Sequence, residues 1–327
     1  MQKQMSTSMT YDHEAGMNYT RVLPDLIVGS CLQTADDARH LADEERVAAV
    51  LCLQQDSDMA YFDLDLEPVL SGCAASGIRH VRSRINDFDP YDLRLKLPAA
   101  AAALRDQVAR LDPGECAYVH CTAGLGRAPA VAIAFMHWSG SDGRGAELLD
   151  ALETVTSQRP CHPKIDAIRA ATCDLLLGAE PREVTVGMRA PIVAEEVCIA
   201  GLDLGWENPA PCVRSAAGAW TLTRRLPPGR YLYKFVIDGR WTYSADHPVV
   251  VDAGGNANNF VDVVGGTVEE DALVRGRIMR GGPGALTPEE RTTILERLDA
   301  ISAAAAEAGA AIKPEPVPPG QRRPWGS

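Results

Sequence analysis

The chain has 327 residues, 46% of them apolar and 23% charged, which is enough for two domains with buried cores. A formal net charge of −12 argues against a nucleic-acid backbone or an anionic membrane as the main partner. No apolar run approaches the roughly 20 residues that span a bilayer, and nine cysteines, an odd number with no C-x-x-C pair, point to a reducing compartment without a disulfide framework or a metal cluster.

Residues 1–20 read as a polar N-terminal extension that lacks the apolar core of a signal peptide. Over 21–178, short apolar strands alternate with helical stretches. A first strand is expected at 26–28, a helix at 35–46 and a central parallel strand at 47–53, where the run is continuously apolar. A weaker strand at 78–81 precedes an acidic, aromatic loop over 86–94. An alanine-rich helix is expected at 97–111, with Pro98 in its first turn. A strand at 116–119 follows, then helices over 127–138, 145–157 and 164–177. The pattern predicts an α/β domain with its site at the carboxyl ends of the strands. Phe135 and Trp138, on the apolar face of the 127–138 helix, are expected in its core.

Between the 116–119 strand and the 127–138 helix lies His120-Cys121-Thr122-Ala123-Gly124-Leu125-Gly126-Arg127-Ala128. A cysteine and an arginine separated by five residues bracket a loop at a helix N-terminus. The loop turns backbone N–H groups inward, and the helix dipole adds positive potential there. That field favours a thiolate and a phosphate dianion alike. Cys121 is the candidate nucleophile, Arg127 the planar fork for two phosphoryl oxygens, and Thr122 to Gly126 the amide cradle. Protonating a leaving oxygen needs an acid as well, and Asp87 and Asp92 in the acidic loop are the candidates. Cys52 ends the 47–53 strand region on the same side, and two readings of it stand open: an inert core thiol, or the partner of Cys121 in a reversible disulfide that switches the site off.

After Gly178 the helical period disappears. Over 183–265 short alternating segments are separated by Gly, Pro, Asn and Asp turns, Asp238-Gly239 among them, which predicts a small β-sandwich with Trp220 in its core. A helical segment is expected over 266–312, its last helix starting at Thr287-Pro288 with Ile294, Leu298 and Ile301 on one face. The proline-rich tail 313–327 reads as disordered.

The 120–128 loop resembles the phosphate loop of the cysteine-dependent phosphatases. Asp87 precedes Cys121 by 34 residues, as the general acid does in dual-specificity phosphatases. Asp87-Phe88-Asp89-Pro90-Tyr91-Asp92-Leu93-Arg94 is similar to the acid loop of the plant and algal glucan phosphatases of the starch-excess type, and so are residues 21–33, 52–56 and 161–169. The resemblance implies that Asp87 is the acid and Asp92 the second choice. It also covers a departure from the general signature, Ala128 in place of a Ser or Thr, which those glucan phosphatases share. Tyr11, Tyr19, Tyr61, Phe62, Phe88 and Tyr91 offer rings on which sugars can stack. Tyr61 and Phe88 match channel-lining positions of the family, Phe62 adjoins them, and His162 stands where the family often carries an aromatic.

Gly205-Trp206, the 233–241 string containing Lys234 and Trp241, and the 256–260 string containing Asn258 and Asn259 resemble the starch- and glycogen-binding module of AMP-activated kinase β subunits. This implies that Trp206 and Trp241 stack on glucose while Lys234 and the asparagines bond hydroxyls. The whole is similar to a starch-excess phosphoglucan phosphatase, with the dual-specificity phosphatase domain first and the carbohydrate module second. Expected with it are a monomer acting on phosphorylated starch or amylopectin with no metal or organic cofactor. The resemblance implies a plastid stroma or starch granule surface as its place, any transit peptide being absent from this chain, with the cytoplasm as the alternative. Two other readings are a protein phosphatase carried to starch by its module, and a glucan-binding scaffold without activity.

Overall fold

The computed structural model describes residues 9–139, 145–178, 181–189, 194–203, 205–206, 209–251, 255–263, 268–280 and 286–307. The expected tail 313–327 and the first eight residues of the N-terminal extension lie outside them. The described chain divides into two units, 1–168 with 285–327, and 169–284.

In the first unit β1 (Tyr19–Leu23) turns back on β2 (Leu26–Gly29). α1 (Ala35–Glu45) begins at Thr34, where Thr34 and Asp37 form a reciprocal capping box. β3 (Val47–Cys52) is buried at every position, as a strand covered on both faces must be. α2 (Asp56–Tyr61), α3 (Leu66–Ala75) and β4 (Arg79–Arg82) follow, then α4 (Pro90–Val108), β5 (Cys116–His120), α5 (Arg127–Trp138) and α6 (Leu148–Thr156), while α7 (Ile165–Leu177) begins in this unit and belongs from Arg169 onward to the second. The sheet order is β1-β2-β5-β3-β4, and every pairing except β1–β2 is parallel. β5 and β3 are therefore central, and Cys52 pairs with His120 at their carboxyl ends. α5 is buried over its whole length, Phe135 and Trp138 included, because its sequence is apolar all round.

One helix departs from expectation. α4 starts at Pro90, with Asp89 as its N-cap accepting from the N–H groups of Tyr91 and Asp92, so Pro98 lies in the helix interior. The Asp-Pro pair at 89–90 supplies a cap and a preset φ together, a stronger start than a proline alone. The acidic loop thus runs directly into a helix. That ties its position to a rigid element.

The second unit is a sandwich. β6 (Arg182–Met188), β7 (Val197–Gly201), β8 (Ala210–Pro211), β9 (Val213–Arg214), β10 (Trp220–Leu226), β11 (Gly229–Ile237), β12 (Arg240–Thr242), β13 (Val249–Val251) and β14 (Ala257–Val263) precede α8 (Val268–Arg280). One sheet runs β6-β10-β9 and the other β13-β14-β11-β7-β8, with β12 paired to β11. Val186, Trp220 and Leu222 of the first meet Ile199, Tyr233 and Phe235 of the second in one buried cluster. Tryptophan 220 is core.

α9 (Pro288–Glu307) belongs with the first unit and packs on α4 and α5. Its start is capped by Thr287 and Glu290, each accepting from the other's backbone N–H. Ile294 and Leu298 are fully buried beneath it and Ile301 half-buried.

Candidate active site and carbohydrate platform

The loop between β5 and α5 gathers the expected catalytic groups. Cys121 is buried at the end of β5, and the Gly124 N–H donates to its sulfur at 3.3 Å. Gly124 has φ +70°, and a Cβ there would lie 2.5 Å from the Gly29 backbone, so only glycine allows this turn against β2. Arg159, unremarked in the sequence reading, donates from Nε to the Gly124 carbonyl at 2.8 Å and from Nη2 to the Ala123 carbonyl at 3.2 Å. With those carbonyls engaged by Arg159, the loop is left to present its N–H groups to an anion. The Leu125 carbonyl accepts from the His162 N–H at 2.9 Å.

Arg127 opens α5 and is only 3% exposed. Its Nη1 donates to Asp58 Oδ2 at 2.5 Å and to the Ile85 carbonyl at 2.9 Å, while Nη2 lies 3.0 Å from Asp87 Oδ2. Burial alone would depress this guanidinium, but the charges of Cys121, Asp58 and Asp87 outweigh it and hold it well above its ordinary value. Its Nε is buried with no partner among the described residues, a donor that a phosphoryl oxygen in the loop can satisfy. Asp58 escaped the sequence reading because its position in a short polar helix looks like ordinary solvated surface. The signal was its role as the acidic third residue of α2, where it also accepts from the Gln55 N–H at 2.9 Å.

The two candidate acids separate cleanly. Asp92 accepts from the Asn86 N–H at 2.6 Å and pairs with Lys96 at 2.9 Å, so it holds the loop. Asp87 faces Arg127, and burial, reinforced by the charge of Asp58 against the opposing pull of Arg127, raises its carboxyl above the usual range. A raised carboxyl keeps a proton to donate. Ala128 is fully buried, and the one hydroxyl within the loop is that of Thr122, which accepts from Gln54 Nε2 and Arg127 Nη2, each at 3.2 Å.

Around this centre, Phe88 next to Asp87 is 63% exposed with φ +56°, a backbone state uncommon for an aromatic residue. Tyr61 is exposed, and Phe62 sits against Tyr61, Tyr11 and His13, with the His13 ring stacked on it at 4.3 Å between centroids. Tyr11 also reaches Cys31 Sγ at 3.3 Å. His13 was not foreseen. Tyr19 instead bonds His40 and Glu45 and packs on the core, so it is structural. His162 lies close enough to Asp87 to affect its charge. Cys52 is a buried free thiol beside the imidazoles of His80 and His120.

In the second unit Trp206 and Trp241 are 40% and 51% exposed, with ring centroids 6.4 Å apart. Trp241 pairs with Val236 across β12–β11, and Lys234, two residues along β11, lies on the same face. Trp206 lies over Gly201, whose missing Cβ would come within 3.2 Å of the indole. The asparagines divide by strand alternation. Asn259 pairs with Tyr233, on the core face, and is fully buried. Its Oδ1 accepts from the Ser244 N–H at 2.8 Å and its Nδ2 donates to the Ser244 carbonyl at 2.7 Å. This assigns Asn259 to clamping the 244–248 loop, in place of the expected sugar contact. Adjacent strand residues cannot share a face, so Asn258 is left on the face of Lys234, where it is itself largely buried. Asn259→Ala leaves the buried Ser244 N–H without its acceptor and removes one of two donors to the Ser244 carbonyl, and we expect it to cost about 1–3 kcal/mol. Thermal melting checks this, with glucan affinity falling only as the fold does.

Comparison with known proteins gives the family of the chain. The model for the glycogen recognition site of AMP-activated protein kinase matches residues 190–269. The chain is 39% identical over 305 residues to phosphoglucan phosphatase DSP4, amyloplastic, of Castanea sativa, covering 92% of this chain and 79% of that protein. The chain belongs to the phosphoglucan phosphatases. Phosphoglucan phosphatase LSF1, chloroplastic, of Arabidopsis thaliana is 31% identical over 264 residues, which is 78% of this chain and 43% of that protein. Among solved structures, Tk-PTP in its active form is 22% identical with a TM-score of 0.35, covering 47% of this chain and 92% of that one. Among the described residues of this phosphoglucan phosphatase, no helix is long and apolar enough to cross a membrane.

Proposed function

We infer that the chain removes phosphate monoesters from starch-like glucan by two displacements at Cys121. In the first, Cys121 Sγ attacks phosphorus, the bond to the glucosyl oxygen breaks, and Asp87 gives that oxygen its proton. The resulting cysteinyl phosphate is then attacked by water. Asp87, now a carboxylate, takes the water's proton as the S–P bond breaks and the thiolate is restored. Arg127 and the loop N–H groups hold the phosphoryl oxygens through both steps. Phe88, Tyr61, Phe62 and His162 orient the sugar at the phosphate, and Trp206, Trp241, Lys234 and Asn258 hold the glucan on the second unit. The amyloplastic and chloroplastic names of the two relatives support starch in a plastid as its setting.

The observation that carries this reading is the exposed tryptophan pair, on the same chain as an intact Cys121, Arg127 and Asp87. Trp241→Ala removes a stacking face without touching the phosphate loop. We expect glucan binding and glucan dephosphorylation to fall together, by about 10- to 100-fold for a stacking contact of about 1.4–2.8 kcal/mol. Activity on an aryl phosphate should stay near that of the parent. Equal loss on both substrates with a lowered melting temperature would make Trp241 structural. Unchanged glucan turnover would favour a protein phosphatase that is merely tethered.

A further inference from the structure

Behind the phosphate loop, three neighbouring parallel strands bring one sulfur and two imidazoles together. Cys52 ends β3, His80 lies in β4 and His120 ends β5. Cys52 pairs with His120 and Val50 with His80, and since Cys52 and Val50 lie two residues apart, all three side chains share one face of the sheet. One donor atom from each lies within 4.8 Å of the other two. The Nε2 atoms of both His80 and His120 are buried without a hydrogen-bond partner among the described residues. Two such orphans beside one buried thiol are unusual, because an unpaired buried polar atom costs about 1–3 kcal/mol.

The tautomer of His120 follows from its other nitrogen. Nδ1 lies 3.1 Å from the Cys121 carbonyl, which can only accept, so the ring proton is on Nδ1 and Nε2 offers a bare lone pair. A ring nitrogen donating to a backbone carbonyl while the other is free is the arrangement of a metal-binding histidine.

We propose that Cys52, His80 and His120 form a site for a thiophilic d10 cation, Zn2+ or Cu+. One cysteine sulfur with two imidazole nitrogens is a donor set that both ions accept. Binding forms a bond from Cys52 Sγ to the metal and releases the thiol proton to solvent, with no change of oxidation state. Bond lengths of about 2.0–2.3 Å require the three donors to draw together by at most about 1.5 Å, within reach of side-chain rotation. Arg82 and Arg127 are the cations that face His120 and oppose a further positive charge. Each is offset, Arg82 by Asp56 at 2.8 Å and Arg127 by Asp58 and Asp87. The ion would tie the ends of three central strands together directly behind Cys121. It would also withhold Cys52 from disulfide exchange.

The test is metal binding by the purified full chain, reduced and stripped with chelator. Zn2+ and Cu+ are titrated separately against a chromophoric competitor, and Co2+ serves as a spectroscopic stand-in for Zn2+. All are repeated in a Cys121→Ser background, so that the catalytic thiol contributes nothing. We expect one equivalent of Zn2+ or of Cu+ in both backgrounds and, with Co2+, a thiolate charge-transfer band if Zn2+ is the ion taken. Cys52→Ser and His80→Ala should each weaken binding at least tenfold, with circular dichroism confirming that they remain folded. Should Cys52→Ser unfold, alkylation of Cys52 in the folded parent replaces it, because bound metal must protect that thiol. Uptake of neither ion, binding unchanged in the folded variants, alkylation indifferent to metal, or binding lost with Cys121→Ser would each overturn the proposal.

Discussion

Cys121→Ser abolishes phosphate release from every substrate while leaving phosphate and glucan binding in place. The loop backbone, the Gly124 turn and the Arg127 network do not depend on the sulfur, so the anion cradle survives the exchange. What disappears is the nucleophile, since a serine hydroxyl is far less acidic than a thiol and the loop's field cannot ionise it. Losses of about 10⁴-fold or more are expected for removal of a covalent nucleophile. Phosphate release and, in parallel, binding of phosphorylated glucan to the variant check this. Activity of more than a few per cent of the parent would show that the thiolate is not the attacking group.

Asp87→Asn carries the second large effect, and its size depends on the leaving group. A sugar alkoxide needs a proton as it departs, so kcat on phosphoglucan should fall by about 10²–10⁴-fold. A phenolate leaves without much help, and the loss on an aryl phosphate should be much smaller. The pH profile adds a sign. Burial raises the Asp87 carboxyl, so the acid form persists above the usual carboxylate range and glucan turnover declines on the alkaline side of that raised value. That limb should vanish in the variant. The linkage to stability runs the same way. The folded chain holds this proton more tightly than the unfolded one, so the contribution is full at acid pH and lost as pH rises through the raised value. Equal kcat losses on sugar and aryl substrates would give the acid's role to another group.

Much of this was legible in the sequence because the informative features were local. Cys121 and Arg127 are bound to each other by a six-residue spacing, and their strand–loop–helix context is written in adjacent apolar runs. The tryptophan pair was legible through the resemblance of the short strings around it to a starch- and glycogen-binding module. Long-range features were hidden. Asp58 and Arg159 shape the loop from 69 and 35 residues away, through contacts with Arg127 and Gly124 that only the folded chain creates. The side to which Asn259 points needed the register against Tyr233. The grouping of Cys52, His80 and His120 has no sequence spacing at all, since each comes from a different strand and the sheet order brings them together. The start of α4 was misread because Pro98 drew attention from the Asp89-Pro90 cap.

A cysteine phosphatase loop and a carbohydrate platform on one chain are proposed to act on phosphate carried by glucan. Phosphate released by the full chain from phosphorylated amylopectin, set beside that from phosphotyrosine and phosphoserine peptides at matched phosphate concentration, tests it most directly. A kcat/KM at least tenfold higher on amylopectin is expected, an advantage of about 1.4 kcal/mol that Trp241→Ala largely removes. Faster release from peptides, with amylopectin phosphate left intact, would contradict it.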